Sequence, residues 1–461
     1  MDVSASAAGA SARVPDDRAA QRRYWDAAVE TMPRERLMEA QNVLLRAQIA
    51  RLWSASEFYR ERLAAAGARP DDVRSVEDVS RLPVVTKEEL REEQELHPPF
   101  GRFVTAPASQ WQELHPSTGT TGAPVNTVWS KRDVAEITDF TARTLWQMGV
   151  RPDDVVQNAF AYGLWVAGMS VHYGAARLGA FCIPAGAAIA SQRQIDYLLG
   201  VRSTVLLATP SYGMHIAETL RERGIAPEDL ALRVGGFGGE AGTENASTRA
   251  KLERGLGIEA FDYYGLAEVG PTFASECEAK AGLHFAEDHI LVESVDPETK
   301  RPVPDGEVGV LVFTHLSREA TPMLRYWSND YARLDRAACA CGRTHVRAPG
   351  GILGRHDDLV IFKGAKFYPV QVEKAVRAFA ELADEFRIEL RRTSAGSSQV
   401  SECTVVAEWA AAGSSPGIEE RLRRALKEEL GVTPAVRLEP YGTLERTTFK
   451  AKRIVEQAAR G

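Results

Sequence analysis

The sequence predicts an α/β protein: a large N-terminal domain of mixed sheets and helices, followed by a small α+β C-terminal domain. Three observations carry this. Between about Val150 and Val269, short apolar runs ("VVQNAF", "FCIP", "TVLLATP", "LRVGGFGG") alternate with helical stretches ("SQRQIDYLLG", "MHIAETLRERG"). A mainly parallel sheet with crossover helices requires such alternation. From about Ile290, β-rich runs are broken by Asp-Pro and Pro-Asp-Gly turns in "ILVESVDPETKRPVPDGEVGVLVFTHL", which reads as antiparallel strands. After "GRHDDL" comes a smaller unit: a strand, the helix "PVQVEKAVRAFA", further strands and the helix "GIEERLRRALKEEL".

The remaining elements follow in order. Residues 1–16 are small and polar and read as a disordered tail. The stretch from about Asp17 to Gly67 is helical, with apolar residues at three- and four-residue spacing and many helix formers. "RLPVVTKEELREEQEL" reads as a loop and then a helix capped by Thr86, with acids in its first turn. The domain boundary falls near Gly351–Arg355, which gives a first domain over 17–353 and a second over 354–461. No repeat occurs at solenoid periods.

The chain has 461 residues, 44% of them hydrophobic and 26% charged, as in an ordinary water-soluble protein of two or three domains. A net charge of −7 gives no electrostatic reason to expect nucleic acid. No apolar run is long enough to span a bilayer, and the N-terminus lacks the order of a secretory signal, so the expected compartment is the cytoplasm. Five cysteines make no disulfide framework; where they cluster, they point to metal.

"HPSTGTTGAPV" places Ser117, Thr118, Gly119, Thr120, Thr121 and Gly122 together. Such a stretch cannot build a core. It offers hydroxyls and approachable backbone N–H groups, the chemistry of a phosphate-holding loop, and a flexible linker is the alternative. The P-loop pattern of NTPases is absent, because Ala123 and Pro124 follow the second glycine.

Four more stretches join it: "FGGEAG", "FDYYGLAEVGP", "EATPMLRYWSNDYARL" and "GRHDDLVIFKGAKFYPVQVEKAV". In this order the five resemble the signature set of the adenylate-forming acyl/aryl-CoA synthetase superfamily. "AYGLWVAGMSVHYGAARLGAFCIP", "ATPSYGMHIAETL" and "ASECEAKAGLHFAEDH" resemble the phenylacetate–CoA ligase branch in particular. The resemblance covers roughly residues 50–455. It implies a large adenylate-forming domain with a mobile C-terminal domain. It also implies a two-step reaction: an aryl or arylacetic acid and ATP give an acyl-adenylate, and coenzyme A then gives the thioester. Transfer to a carrier-protein thiol, and ATP-dependent activation of nitrite to diazotise an aryl amine, stay open as alternatives.

The resemblance assigns roles residue by residue. The 117–122 loop wraps the β- and γ-phosphates, without the lysine the family often has where this chain has Ala123. Glu268 holds Mg²⁺, a hard cation suited to carboxylate oxygen. Tyr264, Gly265 and Ala267 line the adenylate site, and Gly239 and Glu240 face the adenine. Asp330 binds the ribose hydroxyls, supported by Arg325 and Tyr326; Ser328-Asn329 stands where the family usually has Thr-Gly or Arg. Arg355 contacts the nucleotide, and Asp357 is the hinge. Lys450 is the catalytic cation between carboxylate and α-phosphate, with Lys452 the alternative and Phe449 in place of the usual glycine. Tyr162, Trp165, Met169, Phe237 and Tyr264 form the acyl pocket. A small acid, a carrier protein and a second copy of the chain are the partners implied.

Cys277 and His284 lie seven apart, and Cys339 and Cys341 form "CAC" before "GRTH". Two pairs of such ligands suit a structural zinc, and the Cys-x-Cys-Gly turn resembles a zinc knuckle. His345 is a rival fourth ligand, and four unrelated residues are the alternative.

Overall fold

The computed structural model describes residues 23–117, 123–392, 399–411, 413, 415–446 and 453–457. Among the described residues a short helix Ala27–Glu30 comes first, followed by helices Arg34–Ala55 and Glu57–Ala65, separated at Ser56, whose hydroxyl caps the last. Thr86 caps the helix Lys87–Leu96 as expected, in a full capping box with Glu89. Strands β1 (Trp111–Pro116) and β2 (Asn126–Ser130) form a hairpin around the glycine-rich loop.

The large sheet begins with β3 (Val155–Asn158), β4 (Phe181–Ile183), β5 (Val205–Ala208), β6 (Val234–Phe237) and β7 (Glu259–Leu266). These five are parallel, in spatial order β4-β3-β5-β6-β7. Their side chains alternate between the two faces. Val205 and Leu207 pack under helices Lys131–Gln147 and Val166–Leu178, with Phe160, Phe261 and Tyr263. Leu206 and Ala208 pack under helices Ser191–Gly200, Pro210–Glu222 and Ala246–Leu256, with Phe237 and Ala260. The strands carry apolar residues on both faces, which is why they read as unbroken apolar runs.

The sheet then turns antiparallel. β7 folds back through Ala267–Val269 into β8 (Gly270–Ser275), followed by β9 (Leu283–Phe285). A second sheet holds β10 (Ile290–Val295), β11 (Val308–His315), β12 (Tyr326–Arg333) and, after β13 (Arg347–Ala348) has returned to pair β9, β14 (Gly354–Arg355). Tyr264, Phe273, Phe285 and Phe313 share one core between the antiparallel strands.

From Val360 the chain has its own core. Strands β15 (Val360–Phe362), β16 (Ala365–Phe367), β17 (Leu382–Arg392), β18 (Gln399–Trp409), β19 (Ala435–Glu439) and β20 (Ile454–Gln457) pack on helices Pro369–Arg377 and Ile418–Leu430. This small α+β unit meets the large domain through polar pairs. Arg377 Nη1 donates to Thr248 Oγ1 over 2.8 Å, Lys251 Nζ to Asp384 Oδ1 over 2.5 Å, and Tyr441 Oη to Glu222 Oε1 over 2.9 Å.

Candidate active site at the domain junction

Asp330 lies on β12, opposite Arg355 of β14. It is 3% exposed, and two groups from different elements reach it. Tyr264 of β7 donates its phenol hydrogen to Oδ2 over 2.6 Å, and Arg355 Nη1 stands 3.4 Å from Oδ1. Burial, then the negative charge of Asp330, pushes the Tyr264 phenol well above its ordinary pKa, so it stays a donor. Burial works against the Arg355 charge, but Asp330 and Asp357 more than offset it. Asn329 takes the left-handed backbone (φ +69°) that a glycine adopts freely, and its Oδ1 accepts from Trp327 Nε1 at 2.6 Å.

Arg355 also forms a fork with Asp357, at 2.9 and 2.8 Å. Tyr331 and His356 share a hydrogen bond of 2.7 Å, and Tyr368 of the small domain packs against Tyr331. Gly354 has no room for a side chain: a Cβ there would lie 2.8 Å from the Tyr368 ring.

Glu268 sits in the β7–β8 turn and is 5% exposed. Lys87 Nζ is 3.0 Å from its Oε1, an ion pair not aligned as a hydrogen bond, so that buried oxygen keeps an unused lone pair. Burial first, then Glu268 and other nearby charges including Asp330, push the buried Tyr326 phenol well up; both carboxylates thus act on one residue. The sequence alone does not single out Lys87. Its signal was a lysine directly after a helix cap in "VTKEEL", which looks like any solvated first-turn residue.

Arg325 does not support Asp330. Its guanidinium is bound to Glu293 by two 3.0 Å contacts and to the carbonyls of Ser80, Leu82 and Lys300, which fastens the early chain to β10. Ser117 closes the neck of its loop: its N–H donates to Val125 O over 2.8 Å, and its hydroxyl accepts from Val125 N at 2.9 Å. Thr118, Gly119, Thr120, Thr121 and Gly122 lie outside the described residues, as do Lys450 and Lys452.

Gly239 has φ +86°, and a Cβ on it would reach the Trp165 ring at 3.4 Å. Glu240 Oε1 accepts from Ser211 N at 2.8 Å, at the start of helix Pro210–Glu222. Gly265 is fixed by a close crossing, since a Cβ would lie 1.9 Å from Pro271 O. Ala267 is in the turn with Glu268, and its carbonyl lies 3.5 Å from Thr127 Oγ1. Tyr162, Trp165 and Met169 gather at the start of helix Val166–Leu178; the Tyr162 hydroxyl accepts from Asn158 Nδ2 at 2.8 Å and is 3.3 Å from His172 Nδ1. Phe237 does not join them. It is fully buried on the opposite face of the sheet, against Gly213, Gly235 and Leu252, because strand alternation turns it away from Trp165.

The metal-ligand pairs do converge. The donor atoms of Cys277, His284, Cys339 and Cys341 all lie within 4.8 Å of one another, and all four residues are buried. His345 stands apart, with its ring nitrogens 3.0 Å from Phe285 O and 3.2 Å from Val29 O.

A large α/β domain is followed by a small α+β domain, and near their junction the buried Tyr264 and Asp330 meet the half-exposed Arg355. The chain belongs to the AMP-binding enzyme family, which matches residues 33–327, with the AMP-binding enzyme C-terminal domain matching residues 364–458. It is 37% identical to a phenylacetate-coenzyme A ligase of Thermus thermophilus, over 93% of this chain and 98% of the relative. Among solved structures it resembles 2-hydroxyisobutyryl-CoA ligase with 2-HIB-AMP in the postadenylation state, at TM-score 0.90 and 32% identity, covering 96% of this chain and 94% of that one. Against the same ligase with 2-HIB-AMP and CoA in the thioesterification state, at the same identity and coverages, the TM-score is 0.73.

Proposed function

We propose that this chain joins an aryl or arylacetic acid to coenzyme A in two steps at the domain junction. A carboxylate is a poor electrophile. Its attack on the α-phosphorus of ATP releases pyrophosphate and leaves an acyl-adenylate, whose AMP is a good leaving group. The CoA thiol then attacks the carbonyl, forms the thioester and expels AMP. The observation that carries this reading is the Tyr264–Asp330–Arg355 group. A buried carboxylate is a strong acceptor for the two ribose hydroxyls. Tyr264 fixes its orientation, and Arg355 places a cation beside the nucleotide.

The Glu268 oxygen that Lys87 pairs with but does not hydrogen-bond keeps a lone pair that fits a hard cation. Mg²⁺ there would neutralise phosphate charge. Ser117 holds the glycine-rich loop closed at its neck, and Lys450 supplies the positive charge between the two anions. Tyr162, Trp165 and Met169 are the aromatic and polarisable wall for the acid. The higher overlap with the postadenylation complex supports reading this domain arrangement as that of the first step. The free state of all five cysteines supports a reducing, cytoplasmic setting, and the reading includes a structural zinc at the Cys/His cluster.

The test is pyrophosphate release across a panel of aryl, arylacetic and short hydroxy acids, with and without CoA. Acid-dependent release and a CoA thioester product are expected. Release that needs nitrite and an aryl amine, or an adenylate taken only by a carrier protein, overturns the acceptor assignment.

A further inference from the structure

Cys277 follows β8, His284 lies on β9, and Cys339 and Cys341 lie between β12 and β13. Cys277 Sγ is 3.9 Å from Cys339 Sγ, and Cys341 Sγ is 3.7 Å from His284 Nε2. These are the separations of ligands around a common centre, not of a closed disulfide. The buried His284 Nδ1 has no protein partner. The cysteine turn is tight: Gly342 N donates to Cys339 O over 2.8 Å, and Arg343 N to Cys341 Sγ over 3.4 Å. Gly342 has φ +88°, and both thiols reach the same donor cluster.

The start of the described chain is fastened to this turn. Tyr24 Oη donates to Cys341 O over 2.8 Å, and a Cβ on Gly342 would lie 2.4 Å from that hydroxyl. Arg343 Nε donates to Glu30 Oε2 over 2.6 Å, with both side chains 1% exposed. Thr344 N donates to Glu30 O over 3.0 Å, and Thr344 Oγ1 to Met32 O over 2.6 Å. Arg23 pairs with Glu278, next to Cys277, at 3.2 Å. The polar contacts of Arg23, Tyr24 and Glu30 thus converge on the two loops that carry three of the four ligands, while Trp25 packs separately on Trp146 and Arg177.

We infer that a zinc ion bound by Cys277, His284, Cys339 and Cys341 is the fastener of the N-terminal segment 23–32. This rests on the zinc included in the reading above, and not on the identity of the acid. Three thiolates and one imidazole give the tetrahedral set of a closed structural site, with no position left for substrate. The metal holds the 277–284 and 339–343 loops together, and those loops present the partners of Tyr24 and Glu30. When the metal leaves, those partners lose their fixed positions and the segment detaches. The Tyr264–Asp330 pair, held by its own strands, stays in place.

Protein purified without added metal should carry about one zinc per chain by elemental analysis. Trypsin cleavage after Arg34, followed by mass spectrometry, should accelerate at least tenfold once a strong chelator has removed the zinc, and slow again when zinc is restored. Cys339→Ser should behave as the chelated protein does. If that variant fails to fold, the chelation arm alone decides. Absence of zinc, or a Cys277–Cys339 disulfide under non-reducing conditions, overturns the site. Zinc present with unchanged cleavage after its removal overturns the fastener. Acid-dependent pyrophosphate release by the zinc-loaded protein is measured in parallel, so the reaction assignment can fail while the metal result stands, or the reverse.

Discussion

Tyr264 and Asp330 meet across 2.6 Å, one on a strand of the large sheet and the other on the four-stranded sheet, and so tie the two sheets at a single buried charge. Tyr264→Phe removes one hydrogen bond to that charge while keeping the ring in its aromatic core. Such bonds contribute about 1.5–3 kcal/mol. The expected result is a KM for ATP raised about tenfold or more, with a Tm change of a few degrees at most. An unchanged KM for ATP would show that Asp330 is oriented without Tyr264.

Glu268→Gln should retain the fold and lose most adenylate formation, roughly a hundredfold, because it removes a charge that a cation needs and little packing. Its ion pair with Lys87 adds a control. Isotope exchange between pyrophosphate and ATP, measured across Mg²⁺ concentrations, checks this. Wild-type exchange at low Mg²⁺ would sink the assignment.

Lys450→Ala should fail to make adenylate from acid and ATP, yet convert supplied acyl-adenylate and CoA to thioester. Lys452→Ala should affect the first step much less. The two half-reactions assayed separately decide between the lysines, and a crippled Lys452→Ala variant would move the catalytic position by two residues.

Glu244 supplies a pH dependence. Its Oε2 accepts from Gly242 N at 2.7 Å, while its buried Oε1 has no partner. Burial first, then Glu373 of the small domain, pushes it up to about 7; Arg377 and the Gly242 N–H act the other way, and Asp262 is a further acid alongside. An acid whose folded pKa exceeds its unfolded value near 4.5 binds more protons when folded, so its contribution to stability falls as pH rises through that window. The slope is at most about 1.4 kcal/mol per pH unit. Glu244→Gln should flatten the Tm–pH curve between pH 5 and 7, and curves of equal slope would refute the coupling.

The parallel half of the sheet was legible because strands buried on both faces leave unbroken apolar runs, and Thr86 was legible as a cap because its chemistry is local. The fold-back after Leu266 was not: a turn of Ala267, Glu268 and Val269 contains no glycine or proline to mark it. Asp330 and Glu268 stand in motif wording, and the structure places both carboxylates near the buried Tyr326. Lys87 and the Glu293 partner of Arg325 were not legible, since ion pairs across distant segments leave no local pattern. Phe237 was misplaced for a related reason. Which face of a strand a residue occupies depends on register, and its glycine neighbours carry no side chains to reveal it. The choice of His284 over His345 likewise needed the pairing of β9 with β13.

The seam between the two domains has a thermodynamic character of its own. Most apolar side chains of the small domain are spent on its separate core, and the contacts that cross to the large domain include a guanidinium on a hydroxyl, an ammonium on a carboxylate, a guanidinium on a carboxylate, a phenol on a carboxylate and the Tyr331–Tyr368 ring contact. Parting such a surface trades each polar contact for one with water, so each contributes only a small net free energy. The partition between docked and undocked forms is then set by small differences that dissolved ions can tilt, because mobile charge weakens the ammonium–carboxylate attraction. Ionic strength becomes a tuning knob on how often the small domain lets go.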